Sequence, residues 1–279
     1  MSETIEKTFS VSSPARLDLS NIRGSVEIRP GEDGVIHVTA VKQTGFGDTK
    51  RTEIELSQGA DGTVKVATHF PDAGWGWIIG SFPCQVDYTV QAPRRCSLKI
   101  NGVSSAADAQ GFEGEFSFNS VSGEITLCNL TGPVKAHTVS GRMELAELTG
   151  ELRLNTVSGK ISGRQLNGPL HLDTVSGKVE LEKSVLPSAE ATTVSGEMDL
   201  QTALSEGPYR FNSVSGNVQL QLPAETHCSA ELHAISGTIS TKLPATSTFR
   251  QNGTQTIEVQ GGGVKVYAHS VSGNLSLVS

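Results

Sequence analysis

The chain has 279 residues and a formal net charge of −7, with 22 Lys and Arg against 29 Asp and Glu. This charge argues against general nucleic-acid binding, and no apolar run is long enough to predict a membrane span. Residues 1–7 lack the basic region and the apolar core of a signal peptide, so we expect a cytoplasmic protein.

The N-terminal third predicts one coil followed by a segment of a different kind. Apolar residues alternate from Leu17 to Ile28 as they do in a strand with one buried face. Further alternating runs predict antiparallel strands at residues 35–41, 52–56, 63–68 and 86–90. An open solenoid end exposes strand edges and an apolar layer, so we interpret residues 30–95 as a cap over that end.

One stretch inside this segment, residues 70–83, fits neither a coil nor a strand. It holds both Trp residues of the chain, no cation, and Gly and Pro residues that forbid a regular strand throughout. Buried, such a loop would plug the end of the solenoid, whereas exposed it would contact a partner or a membrane surface. The candidate binding residues are Trp75, Trp77, Ile78, Ile79 and Phe82.

One tripeptide dominates the rest of the chain. Val-Ser-Gly begins at residues 121, 139, 157 and 175, always eighteen apart, and returns at 194, 214 and 271, with Ile-Ser-Gly at 235. Each unit divides into two halves, with apolar residues at the first, fifth and seventh positions of each half and Gly at the third. Such a period predicts like units that bury their apolar faces by stacking, and nothing recurs at helical spacing.

We therefore predict an all-β solenoid in which a coil of about eighteen residues contributes two short strands and two corners. We expect the Val of each Val-Ser-Gly to point inward and the Gly to supply the permissive backbone of a corner. The thirty-six residues from Ile235 to Val271 are interpreted as two further periods, and the irregular units with Pro187, Pro208 and Pro223 as corner insertions. The predicted divisions are residues 1–102, the first coil with its inserted cap, and residues 103–279, the solenoid.

No pattern predicts a metal site, a cofactor site or a catalytic nucleophile. The corners carry none of the Asp residues that a calcium β-roll requires, and the seven His share no spacing. The four cysteines have no CxxC spacing and predict free thiols: Cys84, Cys96, Cys128 and Cys228. We expect the Thr and Ser hydroxyls of the corners to bond to neighbouring backbone rather than to form an ice-binding or glycan-binding array.

Two groups of charged residues could form either a functional site or a solvated surface. Glu180 and Asp199 hold the same position in adjacent coils, roughly 5 Å apart, which is the carboxyl separation of retaining glycosidases. Their column points outward and contains other exposed side chains, which favours a solvated face. A neighbouring column of Arg142, Lys160 and Lys178 has an acid at each end, which also favours a solvated face over an anion site.

The tandem units Thr-Val-Ser-Gly-Lys-Ile and Thr-Val-Ser-Gly-Lys-Val, with the strand at residues 86–93, resemble a widespread bacterial β-solenoid family of unknown function labelled "putative adhesin". The resemblance runs from Leu17 through Val278 and implies a right-handed solenoid of a single chain. It implies no shared catalytic residues. The missing export signal counts against a literal surface adhesin.

We therefore expect a non-enzymatic, adhesin-like scaffold that binds an unidentified protein or envelope partner and no nucleic acid or cofactor. A carbohydrate-active β-helix enzyme using Glu180 and Asp199 is one alternative. A structural protein that associates with copies of itself is the other.

Overall fold

The computed structural model describes residues 2–43, 47–71, 82–251 and 254–279, and for residues 245–247 and 249–251 it describes the backbone alone. Within these ranges the chain is all-β, without an α-helix, and most strands pair in parallel, as in a solenoid. The chain divides into two compact units, Met1–Gly141 and Arg142–Ser279.

The first unit contains strands β1 (Glu3–Ser10), β2 (Ala15–Pro30), β3 (Val35–Lys42), β4 (Glu53–Gln58), β5 (Val64–His69), β6 (Val86–Ala92), β7 (Cys96–Glu113), β8 (Phe116–Ser120), β9 (Ile125–Thr131) and β10 (Val134–Thr138). The second unit contains β11 (Met143–Thr149), β12 (Leu152–Thr156), β13 (Lys160–Arg164), β14 (Leu170–Thr174), β15 (Lys178–Val185), β16 (Ala189–Thr193), β17 (Glu197–Ala203), β18 (Tyr209–Ser213), β19 (Val218–Gln221), β20 (Cys228–Ala234), β21 (Ile239–Thr241), β22 (Ala245–Gln251), β23 (Thr254–Val259), β24 (Val264–Ser270) and β25 (Leu275–Val278).

Parallel strands in the first unit pair at the spacing of the sequence repeat. Phe116 pairs with Leu98 and Val134 pairs with Phe116, in each case eighteen residues apart. On the other side of the coil, Ile125 pairs with Ala107. All of these side chains are buried, because alternate residues of each strand face the interior.

The N-terminal strands surround the first coil. Strand β2 runs parallel to β7, and its other edge pairs in parallel with β5 and β6. Strand β3 lies antiparallel between β1 and β6, and β4 and β5 form an antiparallel hairpin. The four strands predicted between residues 35 and 90 are present, but β5 is antiparallel only to β4 and β6 only to β3, and both pair in parallel with β2. Strand β1 was not predicted, because its mostly exposed and charged residues carry little apolar alternation.

The second unit accommodates extra residues at its corners. Leu152 pairs with Leu170 eighteen residues later, Leu170 with Ala189 after nineteen, and Ala189 with Tyr209 after twenty. Pro187 lies between β15 and β16, and Pro208 lies between β17 and β18. The corner insertions predicted at Pro187 and Pro208 are therefore confirmed, since the strands keep their register while the corners lengthen.

The last strands of the chain do not follow β20 and β21 in the stack. Strand β24 lies between β18 and β20, and β25 lies between β19 and β21. Strands β22 and β23 form an antiparallel hairpin, and β23 is also antiparallel to β20. This hairpin returns the chain, and the end of the chain then enters between two earlier coils. The interpretation of residues 235–271 as two further periods was wrong. Because all coils share one alternation pattern, the repeat alone does not fix their spatial order.

Candidate interaction surface

Each Val-Ser-Gly corner is built on a buried hydroxyl that directly precedes the Val. In the corner at residues 174–177, the Thr174 Oγ1 atom accepts a hydrogen bond of 3.0 Å from the backbone N–H of Gly177. The same bond, of 2.8–3.0 Å, is made by Ser120, Thr138, Thr156, Thr193, Ser213 and Ser270. The prediction that corner hydroxyls bond to neighbouring backbone is confirmed, and this hydroxyl closes the turn.

The Gly of this corner is required by close stacking rather than by a special backbone conformation. A Cβ atom on Gly141 would collide with the carbonyl oxygen of Gly123, and one on Gly216 would collide with that of Gly196. Neither Gly141 nor Gly216 has a positive φ. The expectation that these Gly supply permissive backbone was therefore wrong, because the backbones of stacked corners approach too closely for any side chain.

The opposite corner of the coil does use left-handed backbone. Gly132, Gly150 and Gly168 have φ values of 130°, 137° and 142°. The residue three positions before each of these Gly also has a positive φ, although it carries a side chain: Asn129 at 52°, Glu147 at 56° and Gln165 at 53°. Lys183 in the following coil has a φ of 48°. This conformation costs a residue with a Cβ atom roughly 1–2 kcal/mol.

The Val of the repeat is exposed, contrary to the expectation that it points inward. In the second unit, five Val of the Val-Ser-Gly corners are 37–49 % exposed and Ile235 is 65 % exposed. The reason is strand alternation, since the buried Thr174 is preceded by the buried Leu172 and Leu170, and the next residue, Val175, must point outward. The apolar residue that begins the other half of the coil is buried, as predicted: Leu130, Leu148 and Leu166.

These side chains form a continuous row in the second unit, here called the valine stripe. Hydrogen bonds of 2.8–2.9 Å between the backbones of successive corners fix its order. In that order it consists of Val157, Val175, Val194, Val214, Val271 and Ile235. Val103, Val121 and Val139 are likewise exposed in the first unit.

The Ser that follows each Val directs its hydroxyl back to the protein. The Ser176 Oγ atom donates to the carbonyl oxygen of Val157 at 3.3 Å. Ser195, Ser215, Ser236 and Ser272 donate in the same way to the carbonyl of the adjacent corner, at 3.1–3.4 Å. The stripe is therefore flanked by hydroxyls that already have an acceptor, and its exposed character is mainly apolar.

Most of the predicted Trp loop lies outside the described residues. Trp75, Trp77, Ile78 and Ile79 fall in that part. Phe82 is described and is 47 % exposed, and its carbonyl accepts a 2.8 Å hydrogen bond from the N–H of Asp48.

The carboxylate pair considered as an enzyme site is brought together but is held in ion pairs. Glu180 and Asp199 are register partners on adjacent strands, as predicted. Glu180 contacts Lys160 Nζ at 2.6 Å and Lys178 Nζ at 2.8 Å. The hydrogen bonds from Lys160 and Lys178 lower the pKa of Glu180 to about 2. Lys178 also contacts Glu197 at 3.5 Å, so the cation column is neutralised as expected.

The cysteines and histidines form separate, unconnected features. All four cysteines are free, as predicted, and burial raises the pKa of the Cys96 thiol to about 12. The rings of His233 and His269 stack with centroids 5.1 Å apart. Within the described residues there is no group of three or more His, Cys, Asp or Glu placed to hold a metal ion. In the same residues, no helix is long and apolar enough to cross a membrane.

Comparisons with known proteins place the chain in a family. Three solved structures align over 99 % of it, at identities of 9–11 %. A "putative lipid binding protein" from Parabacteroides distasonis is 11 % identical over 97 % of its own chain, with a TM-score of 0.54. A "putative adhesin" from Bacteroides fragilis is 9 % identical over 97 % of its chain, with a TM-score of 0.40. A "putative cell adhesion protein" from Clostridium sporogenes is 11 % identical over 99 % of its chain, with a TM-score of 0.25.

A search of curated proteins found no match. The model of the family described as Toastrack DUF4097 matches residues 15–278, nearly the whole chain. The resemblance drawn from the Val-Ser-Gly repeat is confirmed, and the chain belongs to the Toastrack DUF4097 family.

Proposed function

We propose that this protein is a non-enzymatic, adhesin-like scaffold that binds a protein partner along the valine stripe. The main observation in support of this proposal is the exposure of six β-branched side chains in successive corners of the second unit. A contiguous exposed apolar row is typical of an interaction surface, whereas isolated exposed apolar residues need no explanation.

The chemistry of the stripe favours a partner with apolar side chains. The flanking Ser hydroxyls, such as those of Ser176 and Ser195, already donate to backbone carbonyls of the adjacent corner. They offer a ligand few unused donors, so the stripe presents methyl groups rather than a hydrogen-bonding array. Burial of those methyl groups against a protein surface would supply the free energy of binding, at roughly 25 cal/mol per Å² of apolar surface.

The electrostatics of Glu180 argue against its use as the general acid of a glycosidase. One of the two carboxyls of a retaining enzyme must carry a proton as general acid, which requires a raised pKa. Lys160 and Lys178 instead lower the pKa of Glu180 and hold it ionised between two cations. Glu180 is therefore suited to a surface ion-pair array.

We also propose the finer architecture that the sequence predicts: the coil size from the repeat, the handedness implied by the family resemblance, and the cap expected over an open solenoid end. Each coil has about eighteen residues and winds in the right-handed sense, and the antiparallel strands β1, β3 and β4 with their neighbours cap the N-terminal coil. Pairing at intervals of eighteen to twenty residues supports this coil size. We place the protein in the cytoplasm or at the inner face of the envelope, with Trp75, Trp77, Ile78, Ile79 and Phe82 as a second contact site.

A matched pair of variants tests the stripe. Val194 lies in its middle, and Val185 is 49 % exposed on β15 outside it. The full chain carrying Val194→Asp, Val185→Asp or Trp75→Ala with Trp77→Ala would be immobilised and exposed to lysate of the source cells, membrane fraction included. Circular dichroism must first show that every variant is folded. The captured partner would then be purified and its affinity for each variant measured.

We expect Val194→Asp to weaken the purified partner's binding at least tenfold and Val185→Asp to leave it unchanged. If only the variant with Trp75→Ala and Trp77→Ala lost partner binding, the contact site would be the Trp loop and not the stripe. Equal binding by all variants would refute the stripe as the contact surface. A mass that rises with protein concentration in light scattering, without a captured partner, would favour self-assembly.

A further inference from the structure

The second unit carries a groove on the outward face of its last coils. It is formed by β17, β19, β25 and β21, which pair in that order. The groove has a volume of about 470 Å³. Its lining is polar, and it uses residues other than those of the valine stripe.

Hydrogen bonds of two Asn side chains hold one side of the groove in place. The Asn217 Oδ1 atom accepts hydrogen bonds of 3.1 Å from both the backbone N–H and the side-chain amide of Asn274. The Asn274 Oδ1 atom in turn accepts a 3.0 Å bond from the backbone N–H of Thr238. The side chains are therefore held in fixed orientations before a ligand arrives, which reduces the entropy that binding would cost.

Several polar groups of the groove remain unpaired in the part of the chain that the structure describes. They are the hydroxyls of Ser276, Ser240 and Thr238 and the side-chain amide N–H₂ of Asn217. Ser276 and Ser240 are register partners on β25 and β21, roughly 4.8 Å apart. Asn217 and Thr238 lie in the neighbouring column, two residues earlier, directly before β19 and β21. The Ser and Thr hydroxyls both donate and accept hydrogen bonds, and the Asn217 amide donates. Such an arrangement suits a ligand that has many hydroxyl groups along its length.

Charge defines which ligands of this kind the groove accepts. In earlier coils the same outward face carries the ion pairs of Lys160 and Lys178 with Glu180. In the last coils, where the groove lies, this face carries mainly amides and hydroxyls. Glu197 and Asp199 line the near edge, and no Lys or Arg lines the groove. An anionic ligand would be repelled by these carboxylates, whereas the hydroxyls of a neutral polyhydroxylated chain would meet the amides and hydroxyls of the lining.

We propose that this groove binds a neutral oligosaccharide, whose hydroxyls pair with the free groups of Ser276, Ser240, Thr238 and Asn217. The proposal goes beyond a protein-binding stripe and can hold or fail separately from it. Gln219, whose amide donates to Asp199 Oδ1 at 3.3 Å, would fix the carboxylate at the near edge as a further acceptor for a sugar hydroxyl.

The test is calorimetric titration of the full chain with three neutral probes: cellohexaose, chitohexaose and maltohexaose. A hexamer of galacturonic acid and CaCl₂ serve as charged probes. Ser276→Trp fills the centre of the groove, and Ser240→Trp fills its outer edge. Ser162→Trp is the matched control, because Ser162 occupies the same outward column on β13, away from the groove.

We expect at least one neutral hexamer to bind the native chain with a Kd below about 1 mM. Either groove-filling variant that retains the native circular dichroism spectrum should weaken this binding at least tenfold, and Ser162→Trp should leave it unchanged. No binding of any neutral hexamer, tighter binding of the acidic hexamer, or binding of Ca²⁺ alone would overturn the proposal. Equal weakening by Ser162→Trp and the groove variants would also overturn it.

Discussion

The buried corner hydroxyl should contribute far more to stability than the exposed hydroxyl two residues later. Thr174→Val keeps the shape of the side chain but removes the acceptor of the Gly177 N–H. No other backbone acceptor serves that N–H among the described residues, so the change leaves a buried donor unsatisfied. Such a loss costs about 1–3 kcal/mol. Ser176→Ala is the matched control in the same corner, and because its hydroxyl is exposed we expect at most about 0.5 kcal/mol.

Urea denaturation followed by circular dichroism measures both free energies of unfolding, provided that the slope of each transition is unchanged. Hydrogen exchange adds a local measurement, since the Gly177 amide should lose protection in Thr174→Val and keep it in Ser176→Ala. A Thr174→Val protein as stable as Ser176→Ala, with the Gly177 amide still protected, would refute the claim that this bond closes the corner.

Three further predictions concern the stack. Gly216→Ala should destabilise the protein by more than about 2 kcal/mol or prevent folding, because the new Cβ meets the Gly196 carbonyl; a native melting curve would contradict this. Gln165→Gly should raise the free energy of unfolding by about 1 kcal/mol in urea titrations, because the φ of 53° at Gln165 strains a residue that has a Cβ atom. A loss of stability would contradict this backbone strain. The pKa of Glu180 is lowered from 4.5 to about 2, so its contribution is complete above pH 4.5 and is lost as the pH falls towards 2. The difference in Tm between the native chain and Glu180→Gln should therefore shrink over that interval and in high salt, and a constant difference would contradict the ion-pair assignment.

The sequence was sufficient to predict the strands of the regular coils and many of their buried residues. Alternation at the fifth and seventh positions of each half-coil correctly predicted buried side chains such as Ile125 and Leu127. This signal is strong because a strand with one buried face has a period of two, and eighteen residues preserve that parity from coil to coil.

The valine stripe was missed although the sequence contains a signal for it. Leu170, Leu172 and Thr174 share one parity, which places Val175 on the outside. The Val was assigned to the interior on hydrophobicity alone, and the buried position belongs instead to a Thr whose hydroxyl bonds to backbone. Counting parity through the corner would have identified the stripe.

The sequence repeat could not predict where β24 and β25 lie in the stack. Their residues match the pattern of any coil, so the pattern fits equally well before or after β20 and β21. The polar groove follows from that placement, because Asn274 and Ser276 enter it only when β25 lies between β19 and β21. A site assembled by an out-of-order strand leaves no spacing signature in the sequence.

Site-specific photo-crosslinking tests the central claim, recognition of a partner along the valine stripe, most directly. A photoreactive phenylalanine would be placed at Val194 in one variant and at Val185 in another, and both would be irradiated in the source cells. We predict a discrete adduct with one partner protein from position 194 and none from position 185. An adduct from position 185 alone, or none from either position in folded protein, would contradict the account.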